Sequence, residues 1–246
     1  SDIVSSDNLL DNVTVTGSLG IRYDDITGTG IKNVTITAGG ALVIDAVTAS
    51  LTELSSVSYA ASGSSGSIAA GNIGSATATS LTVTESAATA VTQGTIDALD
   101  IAGVTISGTL GVVNVGAITA ADDIVGTVAL TATNGSLTVG TITAADEAGT
   151  ISLTSTGAQI NGTANQVVVT ATDGVTVNMT AATFIDQNGA GSGSLLVDNS
   201  AGDITATLSG AAVALVNYTV DDGTGSGVGH GSVDLTASAL TGGLTT

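Results

Sequence analysis

Residues 115–122 read VGAITAAD, and residues 139–146 read VGTITAAD, the same segment with one position changed. Residues 126–133 (GTVALTAT) and 149–156 (GTISLTST) repeat one set of apolar and polar positions at nearly the same offset. Short alternating segments that recur at one period, with no helical pattern between them, mark a chain that coils and stacks on itself. The expectation is an all-β parallel β-helix, or β-solenoid, with about 20–24 residues per coil.

The ladder extends in both directions. Gly-x-Ile triplets end at Ile73, Ile96, Ile118 and Ile142, at spacings of 23, 22 and 24. Gly162, Thr163 and Ala164 are expected to continue the series with the Ile reduced to Ala, and Gly202, Asp203 and Ile204 to resume it. A second series runs through Leu81, Val104, Val128 and Ile151. Residues 112–115, 137–139 and Ile160 suggest a third strand in each coil. Neighbouring coils lie about 4.8 Å apart, so ten or so give a rod roughly 50 Å long. Inward Ile, Val, Leu and Ala then stack on their equivalents, because one coil alone cannot bury its apolar face.

Residues 1–60 read as an atypical N-terminal strand block or cap, with strands at 12–16 (NVTVT), 33–37 (NVTIT) and 41–44 (ALVI). Turn signals stand at 24–30 (DDITGTG) and at Gly39 and Gly40. Residues 61–246 read as solenoid repeats, with loops near 55–67, 186–194 and 221–231. Residues 232–246 read as one more strand-like coil.

Composition suits a narrow core. The 246 residues include no Cys, Pro or Trp, and the aromatic residues are Tyr23, Tyr59, Tyr218 and Phe184. A core one side chain deep needs β-branched residues and Ala rather than large rings. Twenty-one acidic residues face two basic ones, Arg22 and Lys32, for a net charge of −19. The phosphate-neutralising charge that drives nucleic-acid binding is missing, and anionic membrane surfaces are disfavoured for the same reason. No run of about 20 apolar residues predicts a membrane-inserted span. The absence of cysteine fits a secreted or cell-surface protein that does not rely on disulfides.

With these repeats laid out, the chain resembles the β-helical shafts of bacterial surface and secreted proteins, notably filamentous haemagglutinin-type adhesins and autotransporter passengers. The resemblance rests on Gly-x-Ile-x-Ala and Gly-Thr-Val/Ile-x-Leu-Thr recurring once per coil, covers about residues 71–207, and is one of fold. It implies a shaft whose activity resides in lateral excursions and tips.

The acidic pairs Asp122/Asp123 and Asp146/Glu147 occupy equivalent corners of adjacent coils. Stacked carboxylates repel unless they share a proton or a cation, and calcium takes several hard oxygens, so these four are candidate calcium ligands against the plain reading of a solvated acidic corner. No other cofactor is expected. The same carboxylates suggest a polysaccharide-active enzyme in principle, but the aromatic platforms and basic residues such sites use are nearly absent. His230 is the single histidine, so a multi-histidine metal site within the chain is ruled out. A triad through it would draw on Ser232 or Asp234, yet its Gly-rich surroundings read as a solvated loop.

Thr-x-Thr pairs are frequent, and threonine arrays on solenoids resemble those of ice-binding proteins. Thr131 and Thr141 stand closer in sequence than one coil, which argues that the pairs do not share a column. Sequons place candidate glycan acceptors at Asn12, Asn33, Asn134, Asn161, Asn178 and Asn217.

These readings converge on a non-catalytic extracellular structural protein, a self-assembling subunit of a surface filament or layer; an adhesin shaft that binds a host or matrix ligand is the alternative. Its partner is expected to be itself, end to end. The uncharged segment with Leu235, Leu240 and Leu244 forms one side of the joint, and the first block with Arg22 and Lys32 the other.

Overall fold

The computed structural model describes the chain except residues 1, 6–9, 50–53, 76, 163–165, 185–194, 200–201, 211, 214–215, 222–232, 239–243 and 246. Every regular element among the described residues is a strand, and every strand pairing is parallel. Among the described residues no helix is long and apolar enough to cross a membrane. The chain is a parallel β-solenoid.

Each coil turns three corners and lays down three strands. Face 1 is built from Asn12–Gly17, Asn33–Ala38, Ser56–Ala61, Leu81–Ala87, Ile101–Gly108, Ile124–Ala132, the first parts of Ala148–Gly162 and Val175–Phe184, Ile204–Ser209 and Val233–Ser238. Face 2 is narrow, with Val91–Gln93, Val113–Val115, Leu137–Val139 and residues 160–162 stacked in register. Face 3 carries Ile96–Ala98, Ile118–Ala120, Ile142–Ala144, Val167–Ala171 and Leu195–Asn199. Near the start of the chain, Ile21–Gly28, Leu42–Ala49 and Ile68–Ser75 each bend to serve both faces 2 and 3. The face 1 ladder passes residue 60 without a break, since Asn33–Ala38 pairs with Ser56–Ala61, and that strand with Leu81–Ala87.

The core is a set of vertical columns. On face 1, Val13, Val34, Val57, Val83, Val104, Val128, Ile151, Val177 and Ala206 stack rung on rung, all buried. On face 3, Ile26, Val47, Ile73, Ile96, Ile118, Ile142, Val169 and Val197 do the same. Leu42, Ile68, Val91, Val113, Leu137 and Ile160 line face 2. Side chains alternate between inside and outside within a strand, so a single Val or Ile at one parity commits the whole segment. Each fully buried aliphatic side chain contributes about 1.5–3 kcal/mol of transfer free energy.

The expected stack of Ile73, Ile96, Ile118 and Ile142 is present, in parallel register. Its continuation differs. Ile142 pairs with Val169 rather than meeting the 162–164 triplet, of which residues 163 and 164 lie outside the described residues. Ile204 pairs with Val175 on the other series, at the head of a face 1 strand. The second series also shifts, because Val104 pairs with Val83 while Leu81 pairs with Ile101. The cause is a bulge at the corner entering face 1. Ala102 is inserted between Ile101 and Gly103, and Val125 and Gly126 between Ile124 and Thr127, so counting by a fixed period picks the wrong partner.

Two expected irregular segments are strands. Ser56–Ala61 belongs to face 1 with Val57, Tyr59 and Ala61 buried, which leaves residues 62–67 of that loop as connection. Its small polar residues point out and its apolar ones in, the alternation of a half-buried strand. Ile21–Gly28 runs through the expected turn at 24–30, because its inward parity changes between Tyr23 and Ile26 and the chain rounds a corner without leaving the ladder. The expected loop at 186–194 lies outside the described residues, as does that at 221–231 except for Asp221, which ends the strand Val216–Asp221.

Candidate functional site

The corner between faces 3 and 1 gathers the acid. Leu99 and Asp100, then Asp122 and Asp123, then Asp146 and Glu147 stack on successive rungs. The Asp122 N–H donates to the Leu99 carbonyl (2.9 Å), and the Asp146 N–H to the Asp122 carbonyl (3.1 Å). Carboxylates join this ladder. The Asp123 N–H donates to Asp100 Oδ1 at 3.4 Å, and the Glu147 N–H to Asp123 Oδ1 at 3.0 Å. Asp100 and Asp123 therefore accept from the backbone of the next coil, which orients their side chains along the stack.

One oxygen each from Asp100, Asp122 and Asp123 lies within 4.8 Å of the others. Asp100 was not among the sequence candidates, since it stands alone in its corner; the signal was its place one coil before Asp123. Asp146 and Glu147 continue the ridge on the next rung. The charge of Asp123 pushes the Asp122 carboxyl above the ordinary carboxylate value, with slight desolvation and the charges of Asp100 and Asp146 adding to it. The raised value is the response of crowded like charges, which a divalent cation or a proton relieves.

The corner between faces 2 and 3 explains the glycine signature. The Gly116 N–H reaches the Gln93 carbonyl (2.9 Å) and the Gly94 carbonyl (3.2 Å). A Cβ on Gly116 would fall 2.8 Å from the carbonyl carbon and oxygen of Gly94, and one on Gly140 would fall 2.7 Å from the Ala117 nitrogen. Backbone meets backbone here, and no side chain fits. On the same corner, the Thr95 N–H donates to Asn72 Oδ1 at 3.0 Å.

The outward surface of face 1 carries columns of hydroxyls. Thr127, Thr150, Thr176 and Thr205 form one column, and Thr131, Thr154, Thr180 and Ser209 another. The sequence argument against shared threonine columns is corrected here. Thr131 lies on face 1, whereas Thr141 and Thr143 lead into face 3, and pairs on different faces cannot be compared by spacing. From Asn12 to Ser209 no outward position of face 1 is charged, and neither is any described residue of the corner leading to face 2.

The sequence reading missed a polar inclusion in the core. Glu85 takes an inward position on face 1, between Tyr59 and Ile106 in its column. It is 1% exposed, and neither carboxyl oxygen has a hydrogen-bond partner. Burial pushes its pKa up to about 8. The Tyr59 hydroxyl is also without a partner, and its pKa is raised first by burial and then by Glu85. Gln93 donates from Nε2 to the Gly71 carbonyl at 2.7 Å, while its Oε1 has no partner. Parity alone carried the signal, since residues 81, 83, 85 and 87 alternate inward.

The remaining sequence candidates are dispersed. Arg22 pairs with Asp24 at 3.7 Å, and Lys32 with Asp11 at 3.3 Å. Leu235 lies on Val233–Ser238, paired with Ala206, and Leu244 is paired with Val216; Leu240, Ser232 and His230 lie outside the described residues. Asn33 Nδ2 donates to Asn12 Oδ1 at 2.8 Å, and Ser56 Oγ donates to Asn33 Oδ1 at 2.7 Å, a polar ladder that opens face 1. Asn134 lies at the corner between faces 1 and 2, where its Nδ2 donates to the Thr109 carbonyl at 3.1 Å. Asn178 points outward on face 1, Asn161 pairs with Thr138 on face 2, and Asn217 lies on Val216–Asp221.

No family model, curated protein or solved structure matches the chain. The parallel β-solenoid is thus the level at which the likeness to bacterial shaft proteins stands.

Proposed function

We propose that the chain is a non-catalytic structural solenoid of an extracellular filament or layer, secreted or held at the cell surface, that joins copies end to end. The observation that carries this reading is the uniform parallel ladder, which adds rung on rung along face 1. Among the described residues, Asn12–Gly17 pairs only with Asn33–Ala38, and Val233–Ser238 only with Ile204–Ser209. A second copy that continued the ladder at such a rung would meet its backbone donors and acceptors, the template for strand addition. Contact between unlike ends does not close, so it builds a filament. The ion-paired Arg22 and Lys32 supply the chain's cations to the first coils, against an acidic body. The acidic composition also argues against nucleic acid as a partner.

Electron micrographs of the purified chain test this directly. Filaments many times longer than one solenoid support it, whereas isolated short rods at high concentration sink it. In that case an adhesin shaft with a host or matrix ligand takes its place.

A further inference from the structure

We propose that face 1 is a lateral interface for a second copy of this chain, with the two solenoids parallel and related by a twofold axis along the rod. The argument begins with where charge is absent. A body of net charge −19 repels its own copies, yet nine successive rungs of face 1 present no charge outward. The adjoining corner to face 2 is also uncharged among the described residues.

Apolar exposure points to the same side. The exposed large hydrophobic residues among those described are Val4, Leu19, Leu110, Val112 and Val125. Leu19, Leu110 and Val112 stand on the corner between faces 1 and 2, and Val125 on the bulge entering face 1. Four of the five therefore border one sheet face.

Periodicity selects the occupant. Rungs recur about every 4.8 Å, and a second copy has the same spacing, so side-chain rows interdigitate at every rung rather than at one. Nine rungs of six-residue strands offer about 38 Å by 20 Å, roughly 750 Å² per copy, close to the roughly 800 Å² per partner of a standard interface.

Charge also selects the orientation. The acidic ridge of Asp100, Asp122, Asp123 and Asp146 runs along the other border of face 1. A twofold axis parallel to the rod sets each ridge against the partner's uncharged corner at Leu110 and Val112. An antiparallel pairing would set ridge against ridge.

The full chain is tested by sedimentation over a range of concentration and salt. A dimer is expected to strengthen as salt screens the remaining repulsion. The double variant Thr131→Glu, Thr154→Glu should weaken it about tenfold or more. Thr138→Glu, on the outward side of face 2, adds charge elsewhere and should leave it unchanged. The chain has no cysteine, so Thr207→Cys supplies a single thiol near one end of face 1. A short bis-maleimide should link two such copies, because parallel pairing sets each Thr207 position opposite its partner. Circular dichroism establishes that each variant retains its strands. A monomer at every concentration and salt, equal weakening by Thr138→Glu, or no cross-link at position 207 overturns the proposal. So does a chain that stays monomeric while adsorbing to ice or to an insoluble neutral polysaccharide. Lateral pairing doubles the width of particles and end-to-end joining lengthens them, so the two assemblies fail separately in micrographs.

Discussion

Glu85 shows what one inward position does to a solenoid. Its neighbours in the column are Tyr59 and Ile106, and no donor meets its carboxyl. The folded chain holds a proton on it up to about pH 8, whereas the unfolded chain releases that proton near 4.5. Between those values the unfolded state binds fewer protons, so stability falls as pH rises. The contribution is complete below pH 4.5 and lost through pH 8. Thermal melts of wild type and Glu85→Gln across this window should diverge, the wild type losing stability toward pH 8 while the variant stays flatter. Glu85→Leu matches the column and removes the unsatisfied group, so it should stabilise the fold at pH 8 by about 2 kcal/mol. Parallel pH profiles for wild type and Glu85→Gln would show that Glu85 is not the titrating group.

The corners are the elements that set the coil. Gly116→Ala forces a methyl group onto the Gly94 carbonyl. Neither strand can retreat without breaking the ladder, so a loss of about 1–3 kcal/mol is expected from chemical denaturation. Gly74→Ala is the internal comparison, because a Cβ there meets nothing within 4 Å. Its effect should lie within about 0.5 kcal/mol. If both substitutions cost the same, close backbone approach is not the reason for glycine at Gly116.

The acidic corner makes a separate prediction. Millimolar calcium should raise the melting temperature relative to chelator, since an ion bound only by the folded chain stabilises it by mass action. Asp122→Asn should shrink that increment and raise the melting temperature in chelator, because it relieves the crowding that lifts the Asp122 pKa. An unchanged melting temperature in calcium returns the ridge to a solvated surface.

At the scale of the whole molecule, the solenoid separates its surfaces. Acid lies along the corner between faces 3 and 1 and on the face 3 side, with Asp97, Asp100, Asp122, Asp123 and Asp146 as examples, while the outward side of face 1 is neutral from Asn12 to Ser209. Deleting residues 232–246 removes the Val233–Ser238 rung. Under the proposed end-to-end assembly, the deletion should leave short rods with an unchanged strand signal in circular dichroism. Filaments that persist after the deletion would place the joint elsewhere.

The sequence by itself determined the parity of the strands it identified, such as residues 33–37, pointed to a third strand in each coil, and fixed the Gly-x-Ile column through Ile142, because alternation and turn chemistry act over a short stretch of chain. It could not determine which residues share a rung beyond that column. Register is the sum of strand and corner lengths around a full coil, and the steps are uneven: Val13 to Val34 is a short one and Val177 to Ala206 a long one. One bulged residue moved Leu81 beneath Ile101, and longer coils placed Val169 above Ile142. Only the tertiary structure brought Asp100 to Asp122 and Asp123, sealed Glu85 beside Tyr59, and gathered the outward hydroxyls of nine rungs onto one neutral face. Those juxtapositions join residues a whole coil apart, where local pattern carries no information about who lies opposite whom.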